Sequence, residues 1–259
     1  MNPINVIKVG GGVVEDAAAL SRLLSDFAVL PGAKVLVHGG GRSATRMAER
    51  LGVETRMVGG RRITDAAMLD IVTMVYGGLV NKQVVAGLQQ QGLNAVGLTG
   101  ADMNIIRSHR RPLRDGIDYG WVGDVDHVDN NALRRLIDDG FVPVIAPLTH
   151  DGQGHILNTN ADTIASEVAC ALARDCDVTL TFCFEKRGVL RDADDESSAI
   201  SVIDASAFQR LQAEGIVSGG MIPKLENAFA ALRRGVREVV ITRADHLDGE
   251  GGTRIVASV

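Results

Sequence analysis

Lys8 stands inside an otherwise apolar run, Ile4-Asn-Val-Ile-Lys-Val9, two residues before Gly10-Gly11-Gly12. Lysine is rarely buried without a partner. Such a lysine either faces solvent at a sheet edge or aims its ammonium at an anion held by the loop beyond it. A second triplet, Gly39-Gly40-Gly41, closes the run Lys34-Val-Leu-Val-His38. Glycine lets backbone N–H groups crowd around an anion. A helix opened by each triplet adds the positive end of its dipole. Two such loops on neighbouring strands form a cradle for phosphate or carboxylate; without a ligand they are two tight turns. Lys224 follows Gly215-Ile-Val-Ser-Gly-Gly-Met-Ile-Pro223 at a helix start. A cation there opposes the helix dipole unless an anion binds at the same end; a surface lysine is the alternative.

Leu157-Asn-Thr-Asn-Ala-Asp162 puts polar groups just before another helix. Asn160 or Asp162 is equally suited to capping it. Arg61-Arg62-Ile-Thr-Asp65 leads into a helix that Thr64 could cap. The planar fork of Arg62 suits a carboxylate; a solvated arginine is the plain alternative. Other chemistries lack their residues. There is no G-x-x-x-x-G-K-[ST] and no G-x-G-x-x-G. There is no C-x-x-C, and Cys170, Cys176 and Cys183 read as buried side chains in or near apolar elements. The histidines at 38, 109, 127, 150, 155 and 246 form no H-x-x-x-H pair, so no zinc is expected.

These residues need a scaffold, and the chain supplies one. Apolar, β-branched runs alternate with helical patterns over the whole length, which predicts an α/β sandwich with a largely parallel sheet. In such a sheet ligands bind outside the carboxyl ends of the strands. Hairpins are expected over residues 53–64 and 104–128. A helix over Asp65–Gln91 is expected to break near Gly77-Gly78, and Thr149–Thr159 has the least regular signal. The chain has 259 residues, 46% hydrophobic and 23% charged, with net charge −5. That is ordinary globular usage, and an acidic chain without a basic block is a poor nucleic-acid binder. No apolar run reaches the ~20 residues of a membrane span, and the N-terminus has no signal-peptide pattern. A cytoplasmic location is expected. Glycine is frequent at 30 residues and aromatics are only 3%, a composition that brings backbone close to something small and charged.

Strung together, the motifs resemble the amino acid kinase family, most closely its acylglutamate-phosphorylating branch. The residues that carry the resemblance are Ile7-Lys8-Val-Gly-Gly11, Val37-His-Gly-Gly-Gly-Arg42, Gly59-Gly-Arg-Arg-Ile-Thr64, Asn81-Lys82, Val96-Gly-Leu98, Gly120-Trp-Val-Gly-Asp124, Asn158-Thr-Asn-Ala-Asp162, Gly219-Gly-Met-Ile-Pro-Lys224 and Gly252-Thr-Arg-Ile255. They fall in order over nearly the entire chain. The resemblance implies a three-layer αβα sandwich with a mainly parallel open sheet and β-hairpins over the substrate site. It implies transfer of the γ-phosphoryl of ATP, with Mg²⁺ carried by the nucleotide, to the side-chain carboxylate of an N-acylglutamate in arginine biosynthesis. Acetyl is the default acyl group, and succinyl or another amino acid or carbamate acceptor is the alternative. A non-catalytic sensor of nucleotide or amino acid would lack one of Lys8, Lys224 and Asp162.

Carried over by position, the resemblance gives Lys8 and Lys224 the transferring phosphoryl group and Asp162 the orientation of both lysines. Gly40, Gly41, Arg62 and Asn158 would hold the acylated amino acid. Gly10, Gly11, Glu185, Lys186, Arg187, Gly188, Val189, Leu190, Ile216, Val217 and Ser218 would line the nucleotide site. The run Cys183-Phe-Glu-Lys-Arg-Gly-Val189 departs from the family's Ser/Thr-Asp-Val-Ser/Asn-Gly-Val/Ile, with Glu185 where Asp is usual. A single domain is expected, with an acylglutamate-binding and dimer-forming lobe at 1–173 and a nucleotide-binding lobe at 174–259. The segment Asp65–Val80, apolar around almost its whole circumference, is expected to pair two copies into a homodimer. Only Met1-Asn-Pro3 precede the first strand, so the extra helix of arginine-inhibited hexameric members is not expected, nor is that inhibition.

Overall fold

The computed structural model describes residues 3–184, 186–192, 194–219, 221–247 and 252–257. The chain begins with β1 (Pro3–Val9), a short α1 (Gly11–Glu15) and α2 (Ala17–Val29), then β2 (Ala33–His38) and α3 (Gly41–Arg50). A hairpin of β3 (Met57–Val58) and β4 (Arg61–Arg62) leads to α4 (Ala66–Val72), which runs through a π-helical stretch, Thr73–Val80, into α5 (Asn81–Gln90). There follow β5 (Ala95–Leu98), β6 (Ile106–Arg110), β7 (Gly123–Val128), α6 (Asn130–Asp138), β8 (Val142–Ile145), β9 (Leu148–His150) and β10 (Ile156–Asn158). The rest comprises α7 (Ala161–Leu172), β11 (Asp177–Phe184), β12 (Val202–Ile203), α8 (Ala205–Ala213), α9 (Met221–Arg233), β13 (Glu238–Arg243) and β14 (Thr253–Ile255).

The central sheet has eight strands in the order β12-β14-β13-β11-β1-β2-β8-β5. Every neighbouring pair is parallel except β13 and β14. A second sheet, β10-β9-β6-β7, carries the predicted 104–128 hairpin and gathers the weakly patterned Thr149–Thr159 into the hairpin β9–β10. The fold is the expected α/β sandwich with a largely parallel sheet.

Alternation along β1 decides the site. Ile7 and Val9 pack with Leu23, Phe27 and Leu36 on one face of the sheet. Ile4 and Val6 pack with Ile164, Val168 and Leu225 on the other. Side chains on a strand alternate with period two, so Lys8 shares the face of Ile4 and Val6, toward α7 and α9. Strand β1 lies between β11 and β2, so Lys8 is not an edge lysine, and it is buried.

Two local expectations need correction. The helix does not break at Gly77-Gly78 but widens into the π-helical stretch Thr73–Val80. Gly77 is there for packing: a Cβ on it would lie 3.3 Å from Leu148 Cδ1. The helix after Arg62 is capped by Asp65, whose Oδ1 accepts from Met68 N at 2.9 Å, and not by Thr64. The whole helical run, Ala66–Gln90, is long and apolar enough by composition to cross a membrane. It packs on the sheet instead, burying Met68, Ile71, Val72, Val75, Tyr76 and Val80 and leaving Met74 and Leu79 exposed.

Candidate active site

Strands β1 and β2 end side by side, and their glycine loops lie against each other. The amide of Gly39 donates to Val9 O at 2.9 Å. A Cβ on Gly39 would come within 3.0 Å of Gly11 N, and one on Gly40 within 2.9 Å of the Tyr76 ring. Only glycine permits that approach. Helices α1 and α3 begin at these loops, with Gly10 and Gly40 as caps that offer no side-chain acceptor. Neither cap side chain takes up a first-turn N–H group, an arrangement that suits an anion at a helix start.

Two hollows open at this end of the sheet. The first, about 210 Å³, is lined by Lys8, Gly11, Gly39, Gly40, Gly41, Arg62, Tyr76, Asn158 and Asp162, with Met57, Arg61 and Val122 at its walls. The second, about 430 Å³, is lined by Gly10, Gly11, Gly12, Gly41, Cys183, Phe184, Lys186, Gly188 and Lys224. They share Gly11 and Gly41, so they meet at the two glycine loops.

Lys8 Nζ lies 2.7 Å from Asp162 Oδ1, an ion pair at the junction. Asp162 is available because Asn160 caps α7, its Oδ1 accepting from Asp162 N and Thr163 N. The cap and the ion pair thus fall to different residues of one short motif. Lys224 reaches the same place from the first turns of α9, its ammonium 3.8 Å from the centroid of the Phe184 ring. Asp162 and Lys224 also line one small cavity.

Arg62 is buried at the end of β4. Its Nη2 donates to Gly41 O and to Thr45 Oγ1, both at 2.8 Å, and its Nη1 to Thr55 Oγ1 at 3.3 Å. These bonds fix the plane of the guanidinium against the first hollow. Burial pushes the Tyr76 phenol above its usual value, opposed by the adjacent Arg62 cation. Asn158 is held by its Nδ2, which donates to Thr64 Oγ1 at 3.0 Å. No cluster of His, Cys, Asp and Glu suited to holding a metal ion is found among the described residues.

Beneath the second glycine loop lies a buried polar network. The carbonyl of Gly39 can only accept, so His38 Nδ1 carries the proton toward it at 2.8 Å. That leaves Nε2 to accept from Asn81 Nδ2 at 3.2 Å, while Lys82 Nζ donates to Asn81 Oδ1 at 3.1 Å. Burial drives the His38 imidazole down to about 4. It is a neutral strut, not an acid–base group at neutral pH.

The expected nucleotide residues divide. Gly10, Gly11, Lys186 and Gly188 line the second hollow. Val189, Leu190, Ile216, Val217 and Ser218 line neither hollow. Val189 and Val217 are buried in the core, Ile216 packs on it, and Leu190 bridges to Ala199. Arg187 turns its amide to the Glu196 carboxylate at 3.3 Å. Glu185 lies outside the described residues, as does Gly220. Cys170 and Cys183 are buried as expected, whereas Cys176 is half-buried. The sequence does not single out Tyr76 and Phe184: an aromatic residue in an apolar run carries no sign of a site.

The sequence pattern of the amino acid kinase family matches residues 3–243. The chain is 63% identical over 252 residues to an acetylglutamate kinase of Bacteroides fragilis, covering 97% of this chain and 96% of that one. It is 52% identical over 264 residues to an acetylglutamate kinase of Cytophaga hutchinsonii, covering 100% of both. Among solved structures, the protein smu.665 of Streptococcus mutans superposes with a TM-score of 0.79 at 28% identity, over 98% of this chain and 99% of that one.

Proposed function

This chain belongs to the amino acid kinase family, and from that premise we propose that it transfers the γ-phosphoryl group of ATP to the side-chain carboxylate of N-acetyl-L-glutamate, in arginine biosynthesis. The observation that carries the reading is the pair of hollows meeting at Gly11 and Gly41, with Lys8 in the first and Lys224 in the second. The first takes the acylated amino acid, with Arg62 and Asn158 on its polar groups. The second takes the nucleotide.

The chemistry needs no general base. A glutamate side chain, with an ordinary pKa of ~4.3, is already an ionised nucleophile at neutral pH. What the reaction needs is positioning and neutralisation, because two anionic substrates converge on one phosphorus. Lys8 and Lys224 place two positive charges there in advance, and uncapped helix starts add N–H donors. Asp162 holds the Lys8 ammonium in place. Mg²⁺ carried by the nucleotide phosphates would supply further neutralisation.

The lining of the hollows supports one domain with two lobes. Every residue of the first hollow falls within 1–173, whereas the second takes Cys183, Phe184, Lys186, Gly188, Met221, Lys224 and Ile241 from 174–259. The exposed Met74 and Leu79 on the helical run support a homodimer through that face. The cytoplasm, where ATP is held, is the compartment this chemistry needs.

The test is direct. ATP, Mg²⁺ and N-acetylglutamate should give an acyl phosphate that hydroxylamine traps, with far less from free glutamate, whose ammonium would face the guanidinium-lined hollow. Equal turnover of free glutamate or aspartate would overturn the acceptor assignment. N-Succinylglutamate run alongside measures how far the acyl position tolerates a longer chain.

A further inference from the structure

Strand β11 pairs with β1 so that Lys8 lies opposite Phe182. Period-two alternation then puts Phe184 on the same face as Lys8, one pleat nearer the glycine loops. Its ring lies under both lysines: Lys8 Nζ is 5.1 Å from the ring centroid and Lys224 Nζ is 3.8 Å. The ring is itself stacked on Phe182, with centroids 5.9 Å apart and planes 12° apart. It also lines the second hollow.

We propose that Phe184 is a positioning residue for phosphoryl transfer, its ring face holding the ammoniums of Lys8 and Lys224 side by side at the junction of the hollows. This rests on the role proposed above for the two lysines. Two like charges brought to one point repel each other, and something must hold them there before substrate arrives. A carboxylate does this for Lys8. The negative face of an aromatic ring attracts a cation within about 6 Å and carries no net charge. It therefore fixes the ammoniums while leaving their positive charge available.

The ring's electrostatics can be changed without changing its shape. Phenylalanine at 184 is replaced in the full chain by mono-, di- and trifluorophenylalanine, which withdraw electron density from the ring face stepwise. Phe184→Tyr and Phe184→Leu are made alongside, with Lys8→Ala and Lys224→Ala as references. The expected result is a stepwise fall in kcat with fluorine number, reaching about tenfold at three fluorines. The KM for N-acetylglutamate should stay within about twofold, since Phe184 does not line that hollow. Phe184→Tyr should keep most of the activity and Phe184→Leu should fall at least as far as the trifluoro ring. A series flat in fluorine number, with both lysine variants collapsed, overturns the role of the ring and leaves that of the lysines standing. Near-normal kcat in the lysine variants overturns both.

Discussion

In the proposed reaction, Lys8, Lys224 and Asp162 act by charge set in place before the substrates meet. Removing one preorganised contact to a transition state typically costs about 10²–10³-fold in rate. Lys8→Ala and Lys224→Ala should each lower kcat by that order and move either KM far less, as initial rates will show. Asp162→Asn should also slow turnover, because it removes the ion pair that seats Lys8. Arg62→Lys keeps the charge but loses the fork; it should raise the KM for the acylated amino acid and leave that for ATP nearly unchanged. His38 offers a prediction of another kind. Its folded pKa, about 4, lies below the ordinary 6.5 because burial disfavours the charged ring. As pH falls below about 6.5 the unfolded chain takes the proton and the folded chain does not. Stability from this group is therefore intact above that pH and lost between it and pH 4, by about 3 kcal/mol in all. Unfolding free energies measured across this window should slope in the parent and lose that slope in His38→Asn; parallel curves would place the titrating group elsewhere. The candidate residues that the fold brings together were legible where their type clashed with their element, as with a lysine in an apolar strand. Tyr76 and Phe184 were not, because an aromatic ring suits a buried run whether or not a ligand or an ammonium lies against it.

At the scale of elements, the glycine loops are held by contacts across the fold. Tyr76, from the π-helical stretch, occupies the space where a side chain on Gly40 would go. Gly40→Ala should therefore lower stability by about 1–3 kcal/mol, as overpacking does. Chemical denaturation should show part of the loss restored when Tyr76→Leu is added; no recovery would mean that the Tyr76 ring is not the obstacle. The alternation of strands and helices was readable because period two and period 3.6 are local signals. The break expected at Gly77-Gly78 was not there, since a glycine inside a helix looks the same whether it ends the helix or lets Leu148 approach. The strands β9 and β10, three residues each, are too short to show alternation at all.

For the whole molecule, the sandwich followed from the alternation, but the sheet order did not. Nothing local shows that β12 and β14, parallel to each other, run opposite to β13 and the rest of the sheet. Pairing is decided by chain segments far apart. The exposed Met74 and Leu79 have a counterpart only if a second chain covers them. Light scattering should give about twice the chain mass of 27.4 kDa, and Met74→Asp should halve it; a parent protein already at the single-chain mass would leave that face uncovered. The position of β1 has one more consequence. Its residues pair with β11 from Pro3 to Val9 and with β2 from Ile4 to Val9. The short strands β12 and β5 stand at the sheet's margins, where fraying begins. Local openings draw on the least-protected parts of a structure, while central strands exchange their amide hydrogens only when the whole chain comes apart. Lys8 rides on such a strand. Its backbone keeps its station through the fluctuations that loosen the periphery, so the root of this side chain is lost only together with the fold.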